Sequence, residues 1–265
     1  VTTSHQRLRA HSVQVKAGLI AVPEIAAKVA DWEAQRQRIT DHRAAWESGQ
    51  DTLTVAQTIN RVRDTKGFYV AGQGVPASSG DGGPAREALI SPGHLGVDSD
   101  GNIYVADFGG LSVRRIDAET QIITTVAGNG LGGSSGDGGL AIDAGMNPVS
   151  IAVAPDGTLY IADAFGGIRR VDPSTGIITK LADIPANVLA VVETGRLYAG
   201  SGNRVFRIDV ESGLVTLIAG NGEFDVSGGD GSPAIDARIG FVNGLTIGTD
   251  GTVYFSDSVG GSVRA

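Results

Sequence analysis

Two patterns of apolar positions divide the chain. Up to about residue 66, apolar residues recur every three or four positions; beyond it they come in runs of five or six, broken by turns rich in Gly, Asp and Pro. Spacings of three and four predict helix, and short apolar runs bounded by turn residues predict β-strands.

The helical pattern is most regular between Glu24 and Ser48, where there is neither Gly nor Pro. Pro23 fits a first helical turn and Gly49 a stop. Ile25, Trp32, Ile39 and Trp46 fall seven apart, and Val22, Val29, Arg36 and Arg43 fill the alternating seam position, with Leu8 and Val15 continuing it upstream. That is a coiled-coil seam, weakened where Arg36 and Arg43 place charge in it. A second short helix is predicted from about Thr52 to Asp64. A lone helix would expose both Trp on one stripe. Residues 1–66 are therefore expected to form a helical stalk that self-associates as a trimer or dimer. The competing reading is an amphipathic helix lying on the second domain.

Residues 67–265 repeat. Asn102–Asp107, Thr158–Asp163, Arg196–Ser201 and Thr252–Asp257 align around a shared Tyr, and their ends are separated by 56, 38 and 56 residues. Ser78-Ser79-Gly80-Asp81-Gly82-Gly83 returns as Ser134-Ser135-Gly136-Asp137-Gly138-Gly139 and, more loosely, as Ser227-Gly228-Gly229-Asp230-Gly231-Ser232. The short step lacks this phrase, so the phrase is an insertion into a unit of about 38 residues. The second unit shows four strand-like runs: Val149–Ala154, Thr158–Asp163, Ile168–Asp172 and Ile177–Ala182, joined by Asp-Gly and Ser-Thr-Gly turns. Four antiparallel strands repeated at about 40 residues predict β-propeller blades. The fold class is mainly β, with four blades visible, preceded by the helical segment.

The second unit runs Val126-Ala127-Gly128-Asn129-Gly130, Ser-Gly-Asp-Gly-Gly, Asn147-Pro148, Tyr160-Ile161-Ala162-Asp163 and Ile168-Arg169-Arg170-Val171-Asp172. It resembles the NHL repeat, and the likeness covers about residues 68–265. The resemblance implies a propeller, commonly six-bladed, that binds other proteins; some relatives are enzymes. Two readings of blade number stand open. Phe68–Ala71 could complete a fourth blade, or the chain could be the front of a propeller of six.

Forty Gly and only 5% aromatics suit short strands and tight turns. There is no Cys, which excludes disulfides and thiolate metal sites. The start Val1-Thr2-Thr3-Ser4-His5 does not read as a signal peptide, and no apolar run is long enough to span a membrane, so no membrane insertion is expected. Residues 1–66 carry a net charge of +3 and residues 67–265 a net charge of −11. The acidic part repels phosphate backbones, which argues against nucleic acid as a partner.

Three sets of residues could carry chemistry. Asp107, Asp163 and Asp257 end equivalent strands and are expected to bond backbone N–H groups of the following turn. Asp81, Asp137 and Asp230 sit in the Gly-rich phrases, which offer too few oxygens for Ca²⁺. These phrases are expected to be ordered loops gathered on one face, a natural binding surface. His94, Ser150, Asn187 and Asn243 lie near the starts of the innermost strands, where they would face a central channel. No metal site or cofactor is expected. NHL-like amidating lyases hold Zn²⁺ through several His, whereas His5, His11 and His42 lie in the stalk and only His94 in the propeller. Gluconolactonase-like hydrolases use a carboxylate-rich channel, and the strand starts here are Asn, Ser, Gly and Val.

The sequence thus reads as a non-enzymatic binding protein: an oligomeric stalk presenting a propeller to a protein or cell-surface ligand. A surface adhesin or a phage tail fibre has this architecture, which favours an extracellular or virion setting over cytoplasm. The alternative is a lyase- or lactonase-like enzyme with its site in the channel around His94.

Overall fold

The structure is a computed structural model in which residues 70–74, 77–192, 195–223 and 228–265 are described, with Gln37 a single helical position. The chain divides between Lys66 and Gly67. The seam Val22, Ile25, Val29, Trp32, Arg36, Ile39, Arg43 and Trp46 lies outside the described residues.

Four sheets follow one another along the chain. The first holds β1 (Pro92–Val97), β2 (Ile103–Asp107), β3 (Ser112–Ile116) and β4 (Ile123–Ala127). The second holds β5 (Pro148–Val153), β6 (Leu159–Asp163), β7 (Gly167–Val171) and β8 (Ile178–Ala182). β9 (Val188–Val191), β10 (Arg196–Ser201), β11 (Arg204–Asp209) and β12 (Val215–Ala219) make the third. β13 (Val242–Ile247), β14 (Val253–Asp257) and β15 (Ser262–Arg264) make the fourth. Each is an antiparallel meander in chain order. The leading strands β1, β5, β9 and β13 pack successively against one another, so the trailing strands form the outer rim. These are four propeller blades.

The core lies between blades. Ala106, Val113 and Ala127 of the first blade meet Ile151, Leu159, Ile161 and Ile178 of the second. Ala162, Ile168 and Ala182 of the second meet Leu197 and Ile208 of the third. Val188, Val205 and Ala219 of the third meet Ile239, Val242 and Phe255. In the first two pairs alanines line much of one face and branched aliphatics the face they meet, which lets neighbouring sheets interdigitate without voids.

The outer faces of this series are of the same kind. Leu95 and Val97, 61% and 60% exposed, are the counterparts of Ile151 and Val153, which pack on the preceding blade. Val263, 75% exposed, is the counterpart of the fully buried Val113 and Ile168. Among the described residues no further blade covers either face.

Of Phe68–Ala71, the segment read as able to complete a fourth blade, Phe68 and Tyr69 lie outside the described residues and its end is seen at Ala71. That residue packs on the first blade's cluster with Ala85, Ala88 and Val105, and the neighbouring Gly72 N–H donates to the Ala85 carbonyl. The fourth sheet has three strands.

Asp residues fix the turns between the third and fourth strands of the blades. The Asp172 carboxylate accepts from Ser174 Oγ–H at 2.6 Å and from the Ser174 and Thr175 N–H groups at 2.8 and 2.9 Å. The Ser174 hydroxyl, then these N–H groups, hold the Asp172 carboxyl at about 2. The Thr120 N–H and hydroxyl hold Asp117 at about 2 in the same way. A folded value below the unfolded one means that each turn stabilises the fold above about pH 4 and loses that contribution as pH falls toward 2. Asp172→Ala should therefore lower the urea midpoint at about pH 6, with the gap to the parent protein closing as pH approaches 2. A gap that stays constant with pH would assign the effect to packing.

Candidate functional site

One arginine in each of three blades organises the residues around it. Arg114, Arg169 and Arg264 occupy equivalent positions on β3, β7 and β15, opposite Val105, Ile161 and Phe255. Arg169 is fully buried. Its Nη2 lies 2.8 Å from Asp137 Oδ1, and its Nε donates to the same oxygen at 3.0 Å. Nη1 donates to Asp163 Oδ2 at 3.3 Å and to the Gly145 carbonyl at 2.9 Å, while Nη2 also donates to the Ser135 carbonyl at 2.8 Å. Arg114 repeats this with Asp81 at 3.1 Å, Asp107 at 3.8 Å and the carbonyls of Ser79 and Leu89. Arg264 repeats it with Asp230 at 2.6 Å, Asp257 at 3.5 Å and the carbonyls of Gly228 and Arg238.

A guanidinium fits this place because its planar fork can serve two carboxylates and two carbonyls at once. The strand-end carboxylates are buried and also accept from backbone on two sides. Asp107 Oδ1 accepts from the Ser91 and Gly110 N–H groups, Asp163 Oδ1 from Asn147 and Phe165, and Asp257 Oδ1 from Gly240 and Gly260. The bond to the following turn is the one the sequence predicted. The bonds to the preceding connection and to the arginine are additional, and they tie the start of each blade to its middle.

The third blade lacks the whole assembly. It carries Ser201 in place of the strand-end Asp, Phe206 in place of the Arg, and no Gly-rich phrase. Three residues distant in sequence thus occur together in the first, second and fourth blades and are absent together in the third. That internal covariation was present in the sequence, but the Arg-Arg pair was read only as part of a strand.

The Gly-rich phrases do not gather on one face, which corrects that expectation. Each of the first two runs along the outer edge of the next blade. Gly82 N–H donates to the Ile123 carbonyl and Ile123 N–H to the Gly83 carbonyl; Gly138, Gly139 and Ile178 do the same on β8. Asp81, Asp137 and Asp230 are partly or largely exposed, yet each is turned toward its arginine.

The four channel candidates have separate surroundings. Ser150 is fully buried, and its Oγ accepts from the Leu189 N–H at 3.0 Å, stapling β5 to β9. It is not a channel-lining group, because its hydroxyl is enclosed between two blades. Asn187 Oδ1 accepts from the Gly202 N–H at 3.0 Å. Asn243 is exposed, and burial pushes the half-buried His94 imidazole below its ordinary value. No group of three or more His, Cys, Asp or Glu able to hold a metal occurs among the described residues.

A hollow of about 590 Å³ lies elsewhere, lined by Gly74, Ile90, Ser91, Pro92, Gly93, Phe108, Pro148 and Val149. It sits where β1 and β5 begin, at the end of the propeller that also carries the turns between second and third strands. Those turns present Phe108, Phe165 and Val259, all more than half exposed. This apolar end was not legible beforehand, because single aromatics in Asp-Phe-Gly-Gly and Asp-Ala-Phe-Gly-Gly turns look like ordinary turn residues.

Comparison with known proteins converges on one family. A family model described as the Teneurin NHL domain matches residues 120–265. Teneurin-1 of Mus musculus is 30% identical over 231 residues, covering 70% of this chain and 8% of that protein. Teneurin-1 of Homo sapiens is also 30% identical over 231 residues, again covering 70% and 8%. The chain therefore spans about 8% of the length of these curated relatives. Among solved structures, a nidogen/laminin complex matches with a TM-score of 0.46 at 16% identity, covering 64% of this chain and 60% of that one. A Xanthomonas campestris gluconolactonase matches with a TM-score of 0.44 at 19% identity, covering 66% and 57%. Likeness at these scores carries no weight for function.

Removing one partner of a buried ion pair leaves the other charge unpaired, at a cost of about 3–5 kcal/mol. Arg169→Met should destabilise the protein by that amount in urea denaturation. Adding Asp163→Ser and replacing Arg169 by Phe, which copies the third blade, should recover part of the loss. A single variant as stable as the parent protein would show that the arginine is not what holds this blade together.

Proposed function

We propose a recognition function for this chain, which belongs to the Teneurin NHL domain family: it is a non-enzymatic propeller that binds a protein ligand at a cell surface. The observation that carries this reading is the apolar end of the propeller. Phe108, Phe165 and Val259 are held out from Gly-rich turns, and Phe108 lines a hollow with Pro92, Pro148 and Val149. Turns anchored by buried carboxylates lose little entropy when a partner covers them, and exposed aromatics on a rigid base make effective contact residues. Two sets of polar groups that a catalytic reading would use are engaged in structure: the strand-end carboxylates with backbone and arginine, and Ser150 between two strands.

In this reading residues 1–66 self-associate along the seam from Val22 to Trp46, and several propellers act together, raising avidity without new contacts. A surface adhesin and a phage tail fibre both use such an arrangement, and the match to animal proteins sits better with the first. The extracellular setting follows from the same reading.

Binding should be screened with the full chain against an array of recombinant extracellular proteins. Phe108→Glu combined with Phe165→Glu should weaken any specific interaction by about thirtyfold, or about 2 kcal/mol. Asp117→Asn, at a turn of the opposite end, should leave it unchanged. Interactions indifferent to the two Phe changes would exclude this surface. Self-association has a separate readout: sedimentation of the full chain should give a dimer or trimer, and Trp32→Glu with Ile39→Glu should give a monomer. A monomeric parent chain would end the stalk reading and leave the binding reading standing.

A further inference from the structure

The third blade also differs from its neighbours at its outer rim. In the first blade the Ile123 N–H donates to the Gly83 carbonyl at 3.0 Å, and its own carbonyl accepts from the Gly82 N–H at 2.8 Å. In the second, Ile178 makes the same exchange with Gly139 at 3.0 Å and Gly138 at 2.7 Å. Both isoleucines are fully buried. The chain thus meets two of its own edge strands with a Gly-Gly turn that leads into a single antiparallel bridge, Pro84 to Ile122 and Leu140 to Ile177.

Register identifies the third counterpart. Ile123 pairs with Ile116, Ile178 with Val171, and Val215 with Ile208. The adjacent Asp209 N–H donates to the Leu214 carbonyl, as Asp172 does to Ile177. Antiparallel alternation then turns the Val215 N–H and carbonyl outward, away from β11. Among the described residues no backbone group bonds them, and Val215 is only half-buried. Leu214 and Leu217 beside it are 65% and 36% exposed. Such an edge is a template for another strand.

We propose that the edge at Val215–Leu217 accepts an extended, apolar peptide strand from a partner protein, by β-strand addition. The two occupied edges show the backbone geometry of the occupant. They also show what it lacks. The acid of the chain's own segments is matched by Arg114 and Arg169, and Phe206 stands at that position in the third blade. A carboxylate there has no cation to meet, whereas Leu214 and Leu217 offer apolar contact. This surface is distinct from the apolar end and does not depend on the function proposed for it.

The test is amide hydrogen exchange on the intact parent chain. The probe is a synthetic peptide with the sequence of Gly136–Ile142 carrying Asp137→Leu. Without peptide, the Val215 amide should exchange at least about tenfold faster than those of Ile123 and Ile178. Peptide at ten times its Kd should slow it about tenfold, with no effect at Ile123. The unmodified sequence should bind more weakly, and a peptide N-methylated at the position of Gly138 should not bind. Three results would overturn the proposal. The Val215 amide could already be as slow as that of Ile178, which means another part of the chain holds the edge. Protection could rise with protein concentration alone, which assigns the edge to a second copy. Or exchange could be unaffected by about 1 mM peptide.

Discussion

A buried guanidinium must have its charge and its donors answered inside the protein, and that requirement organises three of the four blades. Arg169 has no exposed side-chain surface. Its partners come from three different stretches: Asp163 from its own hairpin, Asp137 and the Ser135 carbonyl from the Gly-rich phrase, and the Gly145 carbonyl from the approach to β5. Satisfying one side chain therefore places the loop, the loop's return and the start of the blade. Once the loop is placed, its Gly pair lies against β8 and closes an edge that would otherwise be open to other chains. Leaving any partner out costs more than the pair itself contributes, which is why the set occurs whole or not at all.

Much of this was legible in the sequence at the level of periodicity. Tyr104, Tyr160, Tyr198 and Tyr254 gave the blade register, and the structure pairs the first three with Arg115, Arg170 and Arg207. The spacing between strand ends correctly separated the Gly-rich phrase from the blade itself. What could not be read was where that phrase goes. Gly content predicts turn conformations, and turns are compatible with an end loop or with a rim. The deciding contact joins Asp137 to Arg169, 32 residues apart, and neither residue is unusual locally. The strand-start residues failed for a different reason. His94 and Ser150 share one position in the repeat, Asn187 and Asn243 the position before it, and β-bulges at Pro92/Leu95, Pro148/Ser150 and Val242/Leu245 rotate side chains out of simple alternation.

The division of labour between the two ends and the rim follows from the same geometry. Turns between third and fourth strands carry hydrogen-bonded Asp residues whose carboxyls titrate low, and they give the propeller an acidic, well-hydrated end. The opposite end carries the Gly-flanked Phe and Val side chains. Strand-end carboxylates beneath it hold those turns rigid, so apolar groups stand in water on a fixed base. Exposed apolar groups on a mobile loop would fold back; here the backbone is fastened on both sides of the turn by Asp107 and Asp163.

The third blade shows what the arginine assembly is for. With Ser201 and Phe206 in place of Asp and Arg, it still forms four strands, packs its Leu197 and Ile208 fully, and connects directly to the second blade through Ala182–Ala186. An apolar solution at this position is therefore sufficient to build a blade, in line with the general finding that buried ion pairs add little over well-packed hydrophobic groups. The assembly's distinct contribution is specificity. It determines that an 18-residue insertion returns along one edge in one register instead of looping free. Where it is absent, the insertion is absent and, among the described residues, no backbone group bonds the edge at Val215. The arginine and the insertion are two halves of one device, and the blade without either is the one whose rim no described segment covers.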